Sequence, residues 1–198
     1  MSVLATKDWG AGTGALPSSW STASGNTALS VNGGEAYCNN DPECSYRNDV
    51  TPPNDQYATA TIGSVVVTAS DNGIGPCIRQ ATGADTRYFV MGSTVDSHCY
   101  KVVAGAYTQI GSTAGSVTTG DVLYIEAQST AVVCKKNGSN IITATDSAVT
   151  AGRFGIFGAN QSENPKASDF EGGDFASAGA NPKGPLGNPF FGPFGGPI

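Results

Sequence analysis

A chain of 198 residues with 39% hydrophobic content is long enough for one well-packed domain and short for two. Only 13% of the residues are charged, the net charge is −6, and the ten Lys and Arg are scattered. That pattern excludes a phosphate-neutralising basic patch, so no nucleic acid is expected as a partner, and it opposes docking on an anionic membrane.

Taken in chain order, the opening MSVLATKDWGAG lacks the basic and then apolar regions of a secretory signal, which implies a cytoplasm-like compartment. No later run approaches the ~20 apolar residues of a membrane helix. Trp9 and Trp20 read as sheet packing. Residues 38–55, CNNDPECSYRNDVTPPND, read as a polar loop stiffened by Pro52-Pro53. Within it Cys38 and Cys44 are spaced for a small-loop disulfide. Asp41, Glu43 and Tyr46 are its candidate glycan or ion contacts, with Asp71 and Asn72 as a second acidic turn.

From Thr27 to about Phe175 the pattern is strand, turn, strand. In QYATATI, Ala58, Ala60 and Ile62 fall on one face and Tyr57, Thr59 and Thr61 on the other. DNGIGPCIRQA, TRYFVMGS and HCYKVVAG follow as apolar strands. DVLYIEAQ sets Leu123, Ile125 and Ala127 opposite Val122, Tyr124 and Glu126. Asn137-Gly138 between two β-rich runs is a strong hairpin signal, because both turn positions need positive φ. GRFGIFG and SDFEGGDF supply the last strands. Cys77, Cys99 and Cys134 lie in apolar runs and read as buried thiols. No stretch has helical apolar spacing, so the predicted fold is all-β, a two-sheet sandwich over residues 1–175 with 38–55 inserted.

Catalytic signals are weak. Asp169-Phe170-Glu171 puts two carboxylates on one face, but their order does not match the paired acids of a glucanase strand. His98 and Cys99 are strand neighbours and point to opposite faces, so they form no dyad with each other. With His98 as the sole histidine, neither a metal nor another cofactor is expected, and no enzyme activity.

The run WSTASGNTALSVNGGEAY, then YATATI, DNGIGPCIRQATGADTRYFVM, TTGDVLYIEAQSTAVVCKKNGSNIITATDSAVTAGRFGIFG and SDFEGGDF is similar to the concanavalin A-like, or laminin-G-like, jelly rolls. It more closely resembles modules of that kind in bacteriophage structural proteins and bacterial surface proteins. The resemblance covers about residues 8–175 and implies a jelly-roll β-sandwich with no inherited activity.

Residues 176–198 form an extended, irregular Gly/Pro arm. Pro189, Phe190, Phe191, Pro193, Phe194 and Ile198 are its candidate docking anchors, since glycines and prolines deny the rings a helix or strand to hide in. Arm and resemblance together imply a virion structural protein, a capsid decoration (cement) protein docked on a major capsid protein or on another copy of itself. The alternative is a glycan-binding module of a phage tail or fibre, or of a bacterial surface, which would contact a host glycan through the 38–55 loop.

Overall fold

The computed structural model describes residues 1–65, 72–159 and 165–175. Its regular elements are all strands. The N-terminal third holds β1 (Ser2–Thr6), β2 (Thr13–Ala15), β3 (Trp20–Thr22), β4 (Ser30–Asn32), β5 (Glu35–Tyr37), β6 (Glu43–Arg47) and β7 (Gln56–Ser64). Then come β8 (Gly73–Gln80), β9 (Arg87–Gly92), β10 (Asp96–Val103), β11 (Ala106–Gln109) and β12 (Ala114–Gly115). The chain continues through β13 (Val122–Gln128), β14 (Ala131–Lys136), β15 (Ser139–Thr145), β16 (Arg153–Ala159) and β17 (Lys166–Asp174).

These strands build two antiparallel sheets. One runs β15-β14-β13-β7-β17-β5-β4-β2, with β1 also on β17; the other runs β11-β10-β9-β8-β16-β6-β3, with β12 also on β10. The period-2 reading of β7 and β13 holds. Ala58, Ala60, Ile62, Leu123, Ile125 and Ala127 are buried and meet Ile74, Ile78, Phe154 and Ile156 of the eight-stranded sheet in one core. Asn137 and Gly138 both take positive φ and close the β14–β15 hairpin, as their sequence requires. Cys77, Cys99 and Cys134 are fully buried in strands.

The 38–55 segment departs from the loop expectation. Its centre is β6, paired with β16 on one side and β3 on the other, and buried at all five positions. ECSYR shows no alternation because both of its faces are covered. Arg47 lies over the Trp20 ring, and Cys44 and Tyr46 join a second apolar cluster on the outer side of the eight-stranded sheet. Residues 38–42 and 48–55, on either side of β6, keep the expected loop character. The arm anchors Pro189, Phe190, Phe191, Pro193, Phe194 and Ile198 lie outside the described residues.

Candidate functional site

Alternation along β9, β10 and β16 sends Phe89, Tyr100, Val102 and Phe157 to the outer face of the eight-stranded sheet, away from the inter-sheet core. Gly75 and Gly155 lie beside them on β8 and β16. With no side chains there, Phe89 and Phe157 reach across two strand spacings and stack, ring centroids 3.8 Å apart. Residues 23–27 run along β6 beside this cluster. The Ala23 amide donates to Cys44 O at 3.0 Å, Thr27 bridges to Glu43, and the Ala23 side chain packs into the cluster.

Arg87 sits at one end of this layer with no exposed side-chain surface. Its Nη1 donates to Gln80 Oε1 at 2.9 Å and pairs with Asp85 Oδ1 at 2.7 Å. Its Nη2 donates to Asn26 Oδ1 and to the Tyr107 hydroxyl, both at 3.0 Å. The guanidinium also lies 4.9 Å from the centre of the Phe157 ring. Asn26 Nδ2 closes the ring of contacts by donating to Asp85 Oδ1 at 2.9 Å. Three separate turns, 23–27, 81–86 and 104–107, are thus fastened to one buried cation.

Both contacts on the Asp85 carboxylate fall on Oδ1. Oδ2 faces a gap between Gly25 and Gly105, where ideal Cβ atoms would stand 3.8 and 3.7 Å from it. Both glycines hold positive φ, 76° and 82°, so any side chain at either turn would be strained, and a Cβ there would line the approach to Oδ2 at ordinary contact distance. Tyr107 stands beside this gap with 42% of its surface exposed. Its phenol is pushed up to about 12 by burial, which outweighs the lowering by the Arg87 charge, with a smaller rise from the Asp85 charge, so it stays a neutral hydroxyl. The cluster therefore offers an oriented carboxylate oxygen and the ring and hydroxyl of a tyrosine, whereas both hydrogens of the Asn26 amide are already given, to Ser24 O at 2.9 Å and to Asp85 Oδ1. Such a set accepts and donates hydrogen bonds to vicinal hydroxyls while an apolar ring face stacks.

The residues singled out in the sequence sit elsewhere. Asp41 is exposed in the turn before β6. Glu43 is fully buried, accepting from Asn40 Nδ2 at 2.8 Å and from the Asn39 amide at 3.2 Å. Tyr46 is buried in the outer cluster, so these three do not form one open loop surface. Trp9 and Trp20 are buried, with ring centroids 5.5 Å apart, and Trp20 donates to Asp8. Asn72 directly precedes β8, and Asp71 lies outside the described residues. The Cys38–Cys44 bond that the spacing allows is not formed, and both thiols are free. Cys38 belongs to the inter-sheet core, whereas Cys44 faces the outer side with its Sγ 3.8 Å from Cys77 Sγ. Two cysteines on opposite sides of a sheet cannot bridge.

Burial pushes the Cys38, Cys77 and Cys134 thiols well above their usual range, which removes the thiolate a nucleophile needs. Glu171 accepts from the Tyr57 hydroxyl at 2.8 Å, and Asp169 points to solvent. His98 Nε2 pairs with Asp96 Oδ1 at 3.1 Å, while Cys99 is turned into the core. Among the described residues, no three His, Cys, Asp or Glu converge as metal ligands. Sequence reading missed the Asp85 site because its members are spread from residue 26 to residue 107. The one local signal was an arginine opening the otherwise apolar strand RYFVMG.

No protein-family model matches the chain, and no curated protein does. Solved structures do. A carbohydrate binding module, CBM66, from Bacillus subtilis superposes with TM-score 0.58 at 15% identity, covering 79% of this chain and 92% of that one. The exoplasmic/lumenal domain of VIP36, in a Ca2+/Man-bound form, gives 0.55 at 8% identity over 80% and 84%. A legume lectin-like domain from Entamoeba histolytica gives 0.51 at 14% over 79% and 90%. At these identities the likeness is one of fold. Nothing in the comparisons ties the chain to bacteriophage proteins. The chain adopts the concanavalin A-like, legume-lectin-like jelly roll.

Proposed function

We propose that this protein is a non-catalytic carbohydrate-binding module that holds neutral glycans at Asp85 and Tyr107, with Asn26 positioning the Asp85 carboxylate. The observation that carries the reading is the Asp85 carboxylate, locked by Arg87 through one oxygen and open between two glycines through the other, beside an exposed tyrosine ring. The lectin-like fold of the neighbours supports it, as do the sugar-bound form of VIP36 and the name of CBM66. A glycan array on the whole chain, followed by calorimetry on the best ligand, tests it. Tyr107→Ala should weaken that ligand about tenfold or more, equivalent to ~1.4 kcal/mol, and Tyr107→Phe much less. Absence of any selective glycan, or a Tyr107→Ala variant that binds as the parent does, overturns the reading.

A second reading makes the chain a capsid decoration protein held by its C-terminal arm on a major capsid protein. Its support is the sequence of residues 188–198, NPFFGPFGGPI, with large apolar side chains in a Gly/Pro frame. Deleting 186–198 should then abolish particle incorporation and leave the sandwich folded.

A further inference from the structure

On the far side of the 81–86 turn from Tyr107 lies a groove of about 520 Å³, open to solvent. Thr51, Pro52 and Asn54 line it on one side, Ala84 on another, and Ala151 and Arg153 close it. Arg153 is its one charged residue, and Nη1 of that side chain is already committed to Asn48 O at 3.1 Å and to Val50 O. No carboxylate contributes to the lining. Such a surface suits an uncharged, apolar occupant that makes few hydrogen-bond demands.

The chain itself carries a segment of that kind and releases it next to the groove. Phe175, the last described residue, donates its amide to Asp55 O at 3.2 Å, one residue from Asn54 on the groove wall. Beyond it run 23 residues, and from Gly184 onward none has a charged side chain. Pro189, Pro193 and Pro197 lack an amide hydrogen, which lowers the hydrogen-bonding demand of the segment further. The twelve residues 176–187 span up to about 37 Å when extended, more than the approach to the groove requires. A tether that short also holds its end at an effective concentration on the order of millimolar, which favours the chain's own groove over a neighbour's.

We propose that this groove seats the chain's own segment 188–198, with phenylalanine rings laid between Pro52 and the Arg153 guanidinium. The test uses a fluorescein-labelled peptide, NPFFGPFGGPI, the full chain, and a chain ending at residue 187. The truncated chain should bind the peptide with a sub-millimolar Kd, and the full chain at least tenfold more weakly because its groove is filled. Ala84→Trp in the truncated chain should abolish peptide binding at unchanged Tm. Thr82→Trp, at an exposed position on the same turn, repeats the block should Ala84→Trp unfold. Four outcomes overturn the proposal: binding to neither chain, equal binding to both, peptide binding that survives both tryptophans, or a full-length dimer that truncation turns into a monomer. The last would place the arm on a second copy. Displacement of the peptide by an oligosaccharide would hand the groove to a glycan and overturn it too. Tyr107→Ala should leave peptide binding unchanged, so this result and that of the glycan test fail independently.

Discussion

On the outer face of the eight-stranded sheet, Phe89 and Phe157 stack 3.8 Å apart over a fully buried arginine. On the outer face of the nine-stranded sheet, Tyr57 and Tyr124 stack at 5.6 Å with their hydroxyls on Glu171 and Glu126. Both faces obey the same alternation of β-strands. They differ in what the chain lays over them. Residues 23–27 pack Ala23 into the first face, so its polar groups must find partners internally; the two Nη atoms of Arg87 share Gln80, Asp85, Asn26 and Tyr107, while its Nε makes no hydrogen bond. The second face keeps part-exposed ion pairs such as Lys135–Glu126 at 3.0 Å and Lys166–Glu35 at 3.2 Å. A covered face becomes a second core, and its rim can hold a site rigid in a way that a solvated face cannot.

The sharpest way to break this contrast is Arg87→Ala. It strands the Asp85 carboxylate and the Gln80 and Asn26 oxygens around a hole, and should cost about 3–5 kcal/mol in urea unfolding. A loss under ~1 kcal/mol would mean that the covered face is no second core.

Asp146 comes next. It lies between the faces, accepting from Lys101 Nζ at 2.5 Å, from the Tyr88 hydroxyl at 2.6 Å and from the Ala148 amide at 2.8 Å. Burial would raise its carboxyl, but the Lys101 and Tyr88 bonds outweigh that and hold it below the usual carboxylate range. The stability it contributes is therefore complete above the unfolded value near 4 and is lost as pH falls through the lower native value. Asp146→Asn should cost about 2 kcal/mol at neutral pH. Urea midpoints measured from pH 6 down to 2 should show the variant less acid-sensitive than the parent.

Smallest is Lys135→Ala on the solvated face. It removes the Glu126 pair and a contact 4.5 Å from the Tyr124 ring centre, yet should cost less than about 1 kcal/mol. A larger loss would erase the distinction between the faces.

The sandwich was legible because its central strands carry a single demand per face. Ala58-x-Ala60-x-Ile62 and Leu123-x-Ile125-x-Ala127 show core on one side, and Asn137-Gly138 names its own turn. β6 was not legible. Glu43, Cys44, Ser45, Tyr46 and Arg47 are each tolerated inside for a different reason, from the Asn39 and Asn40 bonds on Glu43 to the Asp49 pair on Arg47. A short polar run whose charges are met by the turns on either side of it has the composition of a loop. The candidate site was hidden because Asn26 and Tyr107 acquire meaning only through Arg87, 61 and 20 residues away, while Asp85, two residues before it, has the composition of an ordinary turn.

Arg79 stands in a left-handed backbone position, φ 52°, and its guanidinium gives one bond each to Asn54 O at 2.9 Å, Val149 O at 2.9 Å and Ser129 O at 3.0 Å. The loop before β7, the β13–β14 hairpin turn and the loop before β16 are pinned to one planar fork. The ordering cost of that end of the molecule is met when the protein folds, so a visitor to the neighbouring groove meets a finished mould and pays chiefly for its own loss of freedom.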